Sequence, residues 1–460
     1  MRRRRLAFLL LLGALAWVLA ACGGSGGGNG QGQENAGGGT GATGASSDTG
    51  GSGGSGGGTS QDEITLSLMH LWPEGSNYAQ NMLVKSIVEQ FRQENPNIKI
   101  SIEVLENEQY KDKLKVLSAS NSLPDIGFTW AAGFMEPYVK GNLFAPLNDL
   151  LDGDLSGQFV AGTTEGYTFD GSTYALPVEL NIVPIYYNKE IFAKYGLNVP
   201  ETYEDLKQII RTLNDNGVNP ITLGGKDAWT ASFWYMYFAD RLGGDNLLDD
   251  AVANQDFTAP ALREAAAYAQ ELVDMNAFVK GFVGLSNEEA KAEFMNENAA
   301  MYMMGAWEVP NYTTNPDVPQ EFKDKIGFFK FPVIESGKGN VNNWVGGPGV
   351  GLFVSENSPH KEEAKKFVSF FVKKWGEMSV SEAGVIPATK VDTNAVDLPQ
   401  MYIDLLNELN NANKVTLYLD VQMKPVAAEE HYNVIQALFS KVITPDEFVS
   451  RQDAALKEGK

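Results

Sequence analysis

The chain has 460 residues, a formal net charge of −22, one cysteine and three histidines. Such an acidic surface repels nucleic acids and anionic lipid headgroups, so we expect neither as a ligand. A lone cysteine excludes an internal disulfide, and the histidines lack metal-binding spacing, so the sequence predicts no metal or other cofactor.

The chain begins with a segment typical of an export signal. Four arginines, Arg2 to Arg5, precede an apolar run from Leu6 to Leu19 that is shorter than a membrane-spanning helix. The run ends in Leu-Ala-Ala-Cys, which resembles a lipobox. Residues 1–21 are therefore predicted to be a lipoprotein signal peptide, with Cys22 as the lipidated first residue. An ordinary secreted protein with an idle thiol is the alternative.

Residues 22–61 are predicted to be a flexible linker. Half of this stretch is glycine, and it contains no large apolar residue, so it cannot bury enough surface to offset the entropy of ordering. The expected end-to-end distance of a glycine-rich chain of this length is about 35 Å. Such reach suits a protein tethered to a membrane.

The folded part opens with a predicted strand, helix and strand. Residues 64–72 are apolar on both faces, as in a strand buried between helix layers. Apolar residues at helical spacing over residues 81–94 predict an amphipathic helix that ends at Asn95-Pro96. Alternation over residues 98–104 predicts the second strand. The order predicts an α/β fold with a largely parallel sheet, in which ligands bind beyond the carboxyl ends of the strands.

Several longer stretches occur in a recognisable order along the chain: YALPVELNIVPIYYNKEIFAKYGLNVPETYEDLKQ (174–208), FMNENAAMYMMGAWEV (294–309), GGPGVGLFVSENSPHKEEAKKFVSFF (346–371), GVIPATK (384–390) and ITPDEF (443–448). Together they resemble the family 1 extracellular solute-binding proteins, the carbohydrate receptors of ABC importers. The resemblance extends over about residues 62–457.

The resemblance implies a two-lobed periplasmic-binding-protein fold of type II character, with the ligand cleft between lobes that are joined by hinge crossovers. Lobe 1 would contain residues 62–172 with about 332–378, and lobe 2 residues 178–326 with about 385–460. It also implies a monomeric sugar receptor and no enzyme. The receptor would be lipid-anchored at the outer face of the cytoplasmic membrane and would deliver sugar to a permease with separate ATPase subunits. The number of candidate aromatic residues favours an oligosaccharide, and a closed monosaccharide pocket is the alternative.

A sugar site needs aromatic platforms for the apolar faces of the rings and polar groups for their hydroxyls. The candidate platforms are Trp72, Trp130, Trp229, Trp307 and Trp344, which fall at predicted strand ends, loops or crossovers. For any one of them, packing in the core is the alternative. Trp234 and Trp375 lie in apolar helical stretches and are predicted to belong to the core or to a helix surface.

The candidate polar partners are Asn77, Glu106, Asp125, Glu179, Asn181 and Glu308. By the resemblance, the first crossover between the lobes lies near residues 170–180, and Glu179 and Asn181 fall at it. Glu308 stands where many relatives carry aspartate. Asp125 is also suited to capping or turning the backbone. For each acid, a solvated surface charge is the alternative.

Three alternatives also have some support in the sequence. A receptor of the same fold for a polyamine would also use tryptophans and acids. A glycoside hydrolase needs two carboxyl groups flanking the bond, and Glu179 with Glu308 would supply them. Residues 152–157 open like a calcium loop, but the twelfth position is Thr163 rather than the glutamate that such a loop requires.

Overall fold

The computed structural model describes residues 63–391 and 397–458. The predicted signal peptide, Cys22 and the glycine-rich linker therefore lie outside the described residues. Within the described ranges, no helix combines the length and apolar character needed to cross a bilayer.

The N-terminal part follows the predicted order of strand, helix and strand. Its elements are β1 (Ile64–His70), α1 (Tyr78–Glu94), β2 (Ile98–Val104), α2 (Asn107–Ala119), β3 (Ile126–Thr129) and α3 (Ala132–Lys140). β1 pairs in parallel with β2 along its whole length, as the βαβ pattern predicts. On β2, Ile102 and Val104 remain 37% and 38% exposed, because β2 is the edge strand of its sheet.

A segment of short elements leads away from this first unit. It contains α4 (Asn148–Asp152), β4 (Thr168–Phe169), β5 (Ser172–Thr173), β6 (Leu176–Pro177) and β7 (Leu180–Ile182). β4 and β5 form a small antiparallel pair of their own. The segment matters because its last two strands join different sheets.

The central part is the largest. It contains β8 (Ile185–Asn188), α5 (Lys189–Lys194), α6 (Tyr203–Asp215), β9 (Asn219–Thr222), α7 (Trp229–Gly243), α8 (Leu247–Ala253), α9 (Pro260–Asp274), α10 (Asn287–Met295), β10 (Ala299–Met303), α11 (Val309–Tyr312), α12 (Gln320–Lys325) and β11 (Ile326–Phe329). Helix α7 is apolar around most of its circumference and is buried from Thr230 to Leu242. Its partly buried first residue, Trp229, is thereby held in a fixed position.

The C-terminal part returns to both the N-terminal part, which is the first unit, and the central part, which is the second unit. It contains β12 (Asn343–Pro348), β13 (Gly351–Val354), α13 (Lys361–Met378), α14 (Gln400–Asn410), β14 (Lys414–Thr416), α15 (Leu419–Gln422), α16 (Pro425–Phe439) and α17 (Pro445–Glu458). Helix α13 packs against α1, whereas α16 and α17 pack against α9. The chain therefore passes more than once between the two units.

Three sheets organise the molecule. The first sheet has the order β2-β1-β3-β13-β6, the second sheet β11-β8-β10-β9, and the crossover sheet β14-β12-β7. β13 runs antiparallel to β3 and to β6, and β8 runs antiparallel to β10 and β11. The expectation of largely parallel sheets is therefore wrong: the sheets are mixed, because the returning strands enter them in the opposite direction.

Candidate functional site

A cavity of about 820 Å³, counting its open mouth, lies where the ends of strands from the first sheet face helices beside the second sheet. Nine of the predicted site residues line this cavity: Trp72, Asn77, Glu106, Trp130, Glu179, Asn181, Trp229, Trp307 and Glu308. Residues far apart in sequence are thus brought together at one place.

Four of these residues follow the carboxyl ends of strands in the first sheet. Trp72 and Asn77 lie between β1 and α1, Glu106 lies between β2 and α2, and Trp130 follows β3 directly. Because β1, β2 and β3 run in parallel, their carboxyl ends lie at one edge of the sheet. The loops at that edge form one wall of the cavity.

The aromatic lining is a connected cluster. The ring centroids of Trp229 and Trp307 are 6.2 Å apart, and those of Phe233 and Tyr418 are 5.5 Å apart. Trp307 also lies 6.2 Å from Tyr418. Trp72 differs from these residues, because its ring stacks on buried Trp375 at 5.0 Å and only 4% of the residue remains exposed.

The carboxyl group of Glu179 is buried in the cavity lining, and it retains unused bonding capacity among the described residues. Asn181 Nδ2 donates to its Oε1 at 3.2 Å, while Oε2 has no hydrogen-bond partner among the described residues. Burial raises the pKa of this carboxyl to about 7, and the bond from Asn181 only partly opposes that effect. An unpaired buried acceptor is costly, so a ligand that satisfied Oε2 would recover this free energy.

Gly349 allows Glu179 and Asn181 to lie side by side. A Cβ atom on Gly349 would lie 2.6 Å from Glu179 Oε1 and 2.8 Å from Asn181 Nδ2, closer than real Cβ atoms approach. The nearby hydroxyl of Tyr418 is also buried and has no hydrogen-bond partner in the described part of the chain. Two unsatisfied polar atoms therefore belong to residues of the same cavity.

Glu308, in contrast, is engaged by protein groups at both oxygens. Lys291 Nζ lies 2.9 Å from Oε1, and Asn311 Nδ2 donates to Oε2 at 2.8 Å. Burial raises the pKa of Glu308, with Lys291 opposing the effect. Lys291 also pairs with Glu288 at 3.1 Å, so one buried ammonium serves two carboxylates of the lining.

Glu106 faces the same group of charges from the other wall. Its Oε1 accepts from Ser76 Oγ at 3.3 Å, and Lys291 Nζ donates to the carbonyl oxygen of Ser76 at 3.2 Å. Burial, and then the like charge of Glu288, raise the pKa of Glu106. The two walls of the cavity are therefore joined by direct polar contacts.

Two predicted residues, Asp125 and Trp344, do not line the cavity. Asp125 accepts hydrogen bonds from the backbone N–H of Ser67 at 2.8 Å and from Ser358 Oγ at 2.6 Å, so its carboxylate joins β1 to the segment after β13. Trp344 lies in β12 and is 2% exposed. Both residues therefore have a structural role, which was the alternative to ligand binding. Trp234 and Trp375 are fully buried, so of the two predicted alternatives they belong to the core and not to a helix surface.

Sequence reasoning missed eleven lining residues: Leu71, Asn107, Lys111, Phe233, Asn287, Glu288, Gly349, Val350, Tyr418, Asp420 and Val421. Tyr418 and Asp420 follow β14, so the strand-end rule would have found them if β14 had been recognised. Asn287 and Glu288 begin α10, which the capping box formed by Ser286 and Glu289 marks in the sequence.

The structure contains a Ser-His pair of the kind used in nucleophilic catalysis, but this pair is not accessible. Ser232 Oγ lies 2.8 Å from His431 Nε2, and Gln452 Oε1 lies 3.1 Å from Nδ1. All three side chains are fully buried, so no substrate reaches them. Over residues 63–391 and 397–458, no group of three or more histidine, cysteine or acidic side chains is arranged to hold a metal ion.

Comparison with known proteins gives a consistent result. Residues 79–374 match the bacterial extracellular solute-binding protein family. The multiple sugar-binding protein of Streptococcus mutans is 25% identical over 320 residues, which cover 68% of this chain and 72% of that protein. The melibiose/raffinose/stachyose-binding protein of Bacillus subtilis is 24% identical over 347 residues, covering 73% and 74%.

A solved structure from work on xylan utilization by the thermophilic bacterium Caldanaerobius polysaccharolyticus is also similar. It has a TM-score of 0.80 and 34% identity, and the match covers 85% of this chain and 99% of that chain. The resemblance inferred from the motif order is thereby confirmed, and so is the fold class: α/β, with the two-lobed architecture of periplasmic binding proteins.

The buried carboxyl of Glu179 predicts a distinct dependence of stability on pH. Its pKa is about 7 in the folded protein and near 4.5 without burial. Between these values the folded protein holds a proton that the unfolded chain has lost, so raising the pH through this window lowers the free energy of unfolding. The loss is of the order of 3 kcal/mol. Glu179→Gln abolishes this contribution.

Urea unfolding at pH 5 and pH 8 measures the effect. The free energy of unfolding should fall more steeply with pH for the unaltered protein than for Glu179→Gln. The control is Glu94→Gln, which changes an exposed carboxyl on α1 and should follow the unaltered protein. Equal slopes for the unaltered protein and Glu179→Gln would show that the carboxyl is not held neutral by burial.

Proposed function

Because the chain belongs to the bacterial extracellular solute-binding protein family, we propose that it is a sugar receptor that binds an oligosaccharide in the cavity and delivers it to an ABC-type importer. The relatives in Streptococcus mutans and Bacillus subtilis carry names of sugar-binding proteins, which supports this ligand class. The partner would be a membrane permease whose ATPase subunits are separate chains. The receptor would act as a monomer.

The observation that carries the proposal is the pairing of aromatic faces with unsatisfied polar atoms. Trp229, Trp307 and Tyr418 present apolar rings of the kind that pack on the C–H faces of sugars. Glu179 Oε2 and the Tyr418 hydroxyl supply hydrogen-bonding atoms that protein groups leave unused. A ring with hydroxyls at its rim fits both requirements together.

We further propose the lobe division implied by the family resemblance, with residues 62–172 and about 332–378 in lobe 1, and residues 178–326 and about 385–460 in lobe 2. The membership of β13 in the first sheet supports this division. The ligand would then contact both lobes and favour their closed arrangement by its differential contacts. The nine sequence-predicted residues that line the cavity remain proposed ligand contacts, and Asp125 and Trp344 do not.

A polyamine receptor is the second candidate, and the carboxylates of the lining favour it. Glu106, Glu179, Glu288, Glu308 and Asp420 all line the cavity. However, the single charge of Lys291 offsets one of the two negative charges of Glu288 and Glu308, and a pKa of about 7 leaves Glu179 only partly ionised near neutral pH. The net negative charge that the lining presents to a cationic ligand is therefore smaller than the number of lining acids suggests. This favours a neutral sugar as the ligand.

We also propose that a lipid on Cys22 anchors the receptor to the outer face of the cytoplasmic membrane. The lipobox-like Leu-Ala-Ala-Cys and the glycine-rich linker support this proposal. A coil of about 35 Å would let the folded part reach a permease in the same membrane.

Thermal unfolding in the presence of candidate ligands tests the function. Raffinose, stachyose, xylo-oligosaccharides and spermidine are each added to the purified protein. A ligand at about 100 times its dissociation constant adds roughly 2.7 kcal/mol of stability, which raises the melting temperature visibly. We expect a saccharide to do so and to be recovered intact by chromatography.

Trp307→Ala should abolish this shift, because it removes a ring of the aromatic cluster, whereas Tyr195→Ala changes a ring outside the lining and should preserve it. A shift with spermidine alone would make the protein a polyamine receptor. Cleavage of the saccharide would make it a hydrolase. Either result would contradict the proposal.

Expression of Cys22→Ala tests the anchor. Loss of the only thiol removes the site of lipid attachment, so the protein should move from the membrane fraction to the soluble fraction. Immunoblotting of the two fractions measures the distribution. Ser47→Ala, within the linker, is the matched control and should stay with the membrane. An unchanged distribution of Cys22→Ala would contradict lipid anchoring at this residue.

A further inference from the structure

Among the lining residues of the described cavity, Lys111 is the only lysine. It lies on α2, and its side chain is 16% exposed. Lys113 on the same helix and Lys140 on α3 do not line the cavity, and their side chains are 37% and 68% exposed. The Lys111 side chain instead forms part of the cavity wall.

The ammonium of Lys111 lies between two indole rings. Its Nζ is 5.0 Å from the ring centroid of Trp130 and 5.8 Å from that of Trp229. Both distances are within the range of about 6 Å over which a cation is attracted to an aromatic face. Trp130 follows β3 of the first sheet, and Trp229 begins α7 beside the second sheet, so the slot between them is bounded by both parts of the molecule.

Glu108 holds this arrangement in place. Its Oε1 lies 2.8 Å from Lys111 Nζ and accepts from Trp229 Nε1 at 3.1 Å. Asn107 Nδ2 donates to the same oxygen at 2.7 Å. The lysine and one of the two rings are therefore fixed by a single carboxylate, which makes the filled slot an ordered feature of the cavity.

We propose that Lys111 is a specificity-determining residue, which closes the cavity at the slot between Trp130 and Trp229 and so limits the number of sugar rings that the receptor binds. This inference rests on the proposed sugar-binding function. A sugar ring stacks its C–H face on an indole, so the slot offers two such faces. To enter it, a ring must displace the ammonium from both faces and from Glu108.

Isothermal titration with xylo-oligosaccharides of two to six rings, raffinose and stachyose tests the inference. For the unaltered protein, affinity should rise with chain length and then stop rising. For Lys111→Ala, it should rise for one more ring, with a gain of about tenfold for that chain and little change for shorter ones. Lys113→Ala, on the same helix but paired with Glu103 outside the lining, should behave as the unaltered protein.

The outcomes separate the two claims. Binding by the unaltered protein with the same length limit in Lys111→Ala would overturn the inference and leave the proposed function intact. A loss of affinity at every length would also overturn it, because it would make Lys111 a donor to the ligand. No binding of any saccharide to the unaltered protein would contradict the proposed function itself, and the inference with it.

Discussion

The cavity depends on the antiparallel pairing of β7 with β12. These strands join the two large sheets, and they pair Asn181 with Gly347 and Leu180 with Pro348. The pairing brings Glu179, Asn181 and Gly349 to the cavity from segments about 170 residues apart in sequence. Because a Cβ on Gly349 would collide with the side chains of both polar residues, the close approach of backbone to carboxyl is a condition for the site.

The carboxylates of the cavity lining have different roles. The side chains that pair with each carboxylate determine its role. Glu308 and Glu288 share Lys291, and Asn311 completes the bonding of Glu308, so this group stabilises one wall of the cavity. Glu179 has no cationic partner among the described residues; burial raises its pKa to about 7, and its Oε2 has no hydrogen-bond partner there. Buried charges that are fully paired serve structure, whereas the incompletely satisfied group is the one suited to a ligand.

Much of the fold and part of the site could be predicted from the sequence. Strand and helix periodicity located β1, α1 and β2, and the rule that ligands bind at strand ends located Trp72, Asn77 and Glu106. Asp125 and Trp344 were predicted from residue type and from a position in a turn or crossover, but neither lines the cavity, because serines satisfy Asp125 and the protein core encloses Trp344. Lys111 was missed because a lysine on a polar helix face is expected to be solvated. No local pattern reveals that two tryptophans from distant segments enclose it.

A crystal structure of the protein with a bound oligosaccharide would show which residues contact the ligand. We expect a sugar ring against Trp229 or Trp307, with a hydroxyl bonded to Glu179 Oε2. A second groove is lined by residues that include Leu180, Pro348 and Ile386. A saccharide bound in that groove, with the aromatic cavity empty, would show that the proposed binding site is wrong.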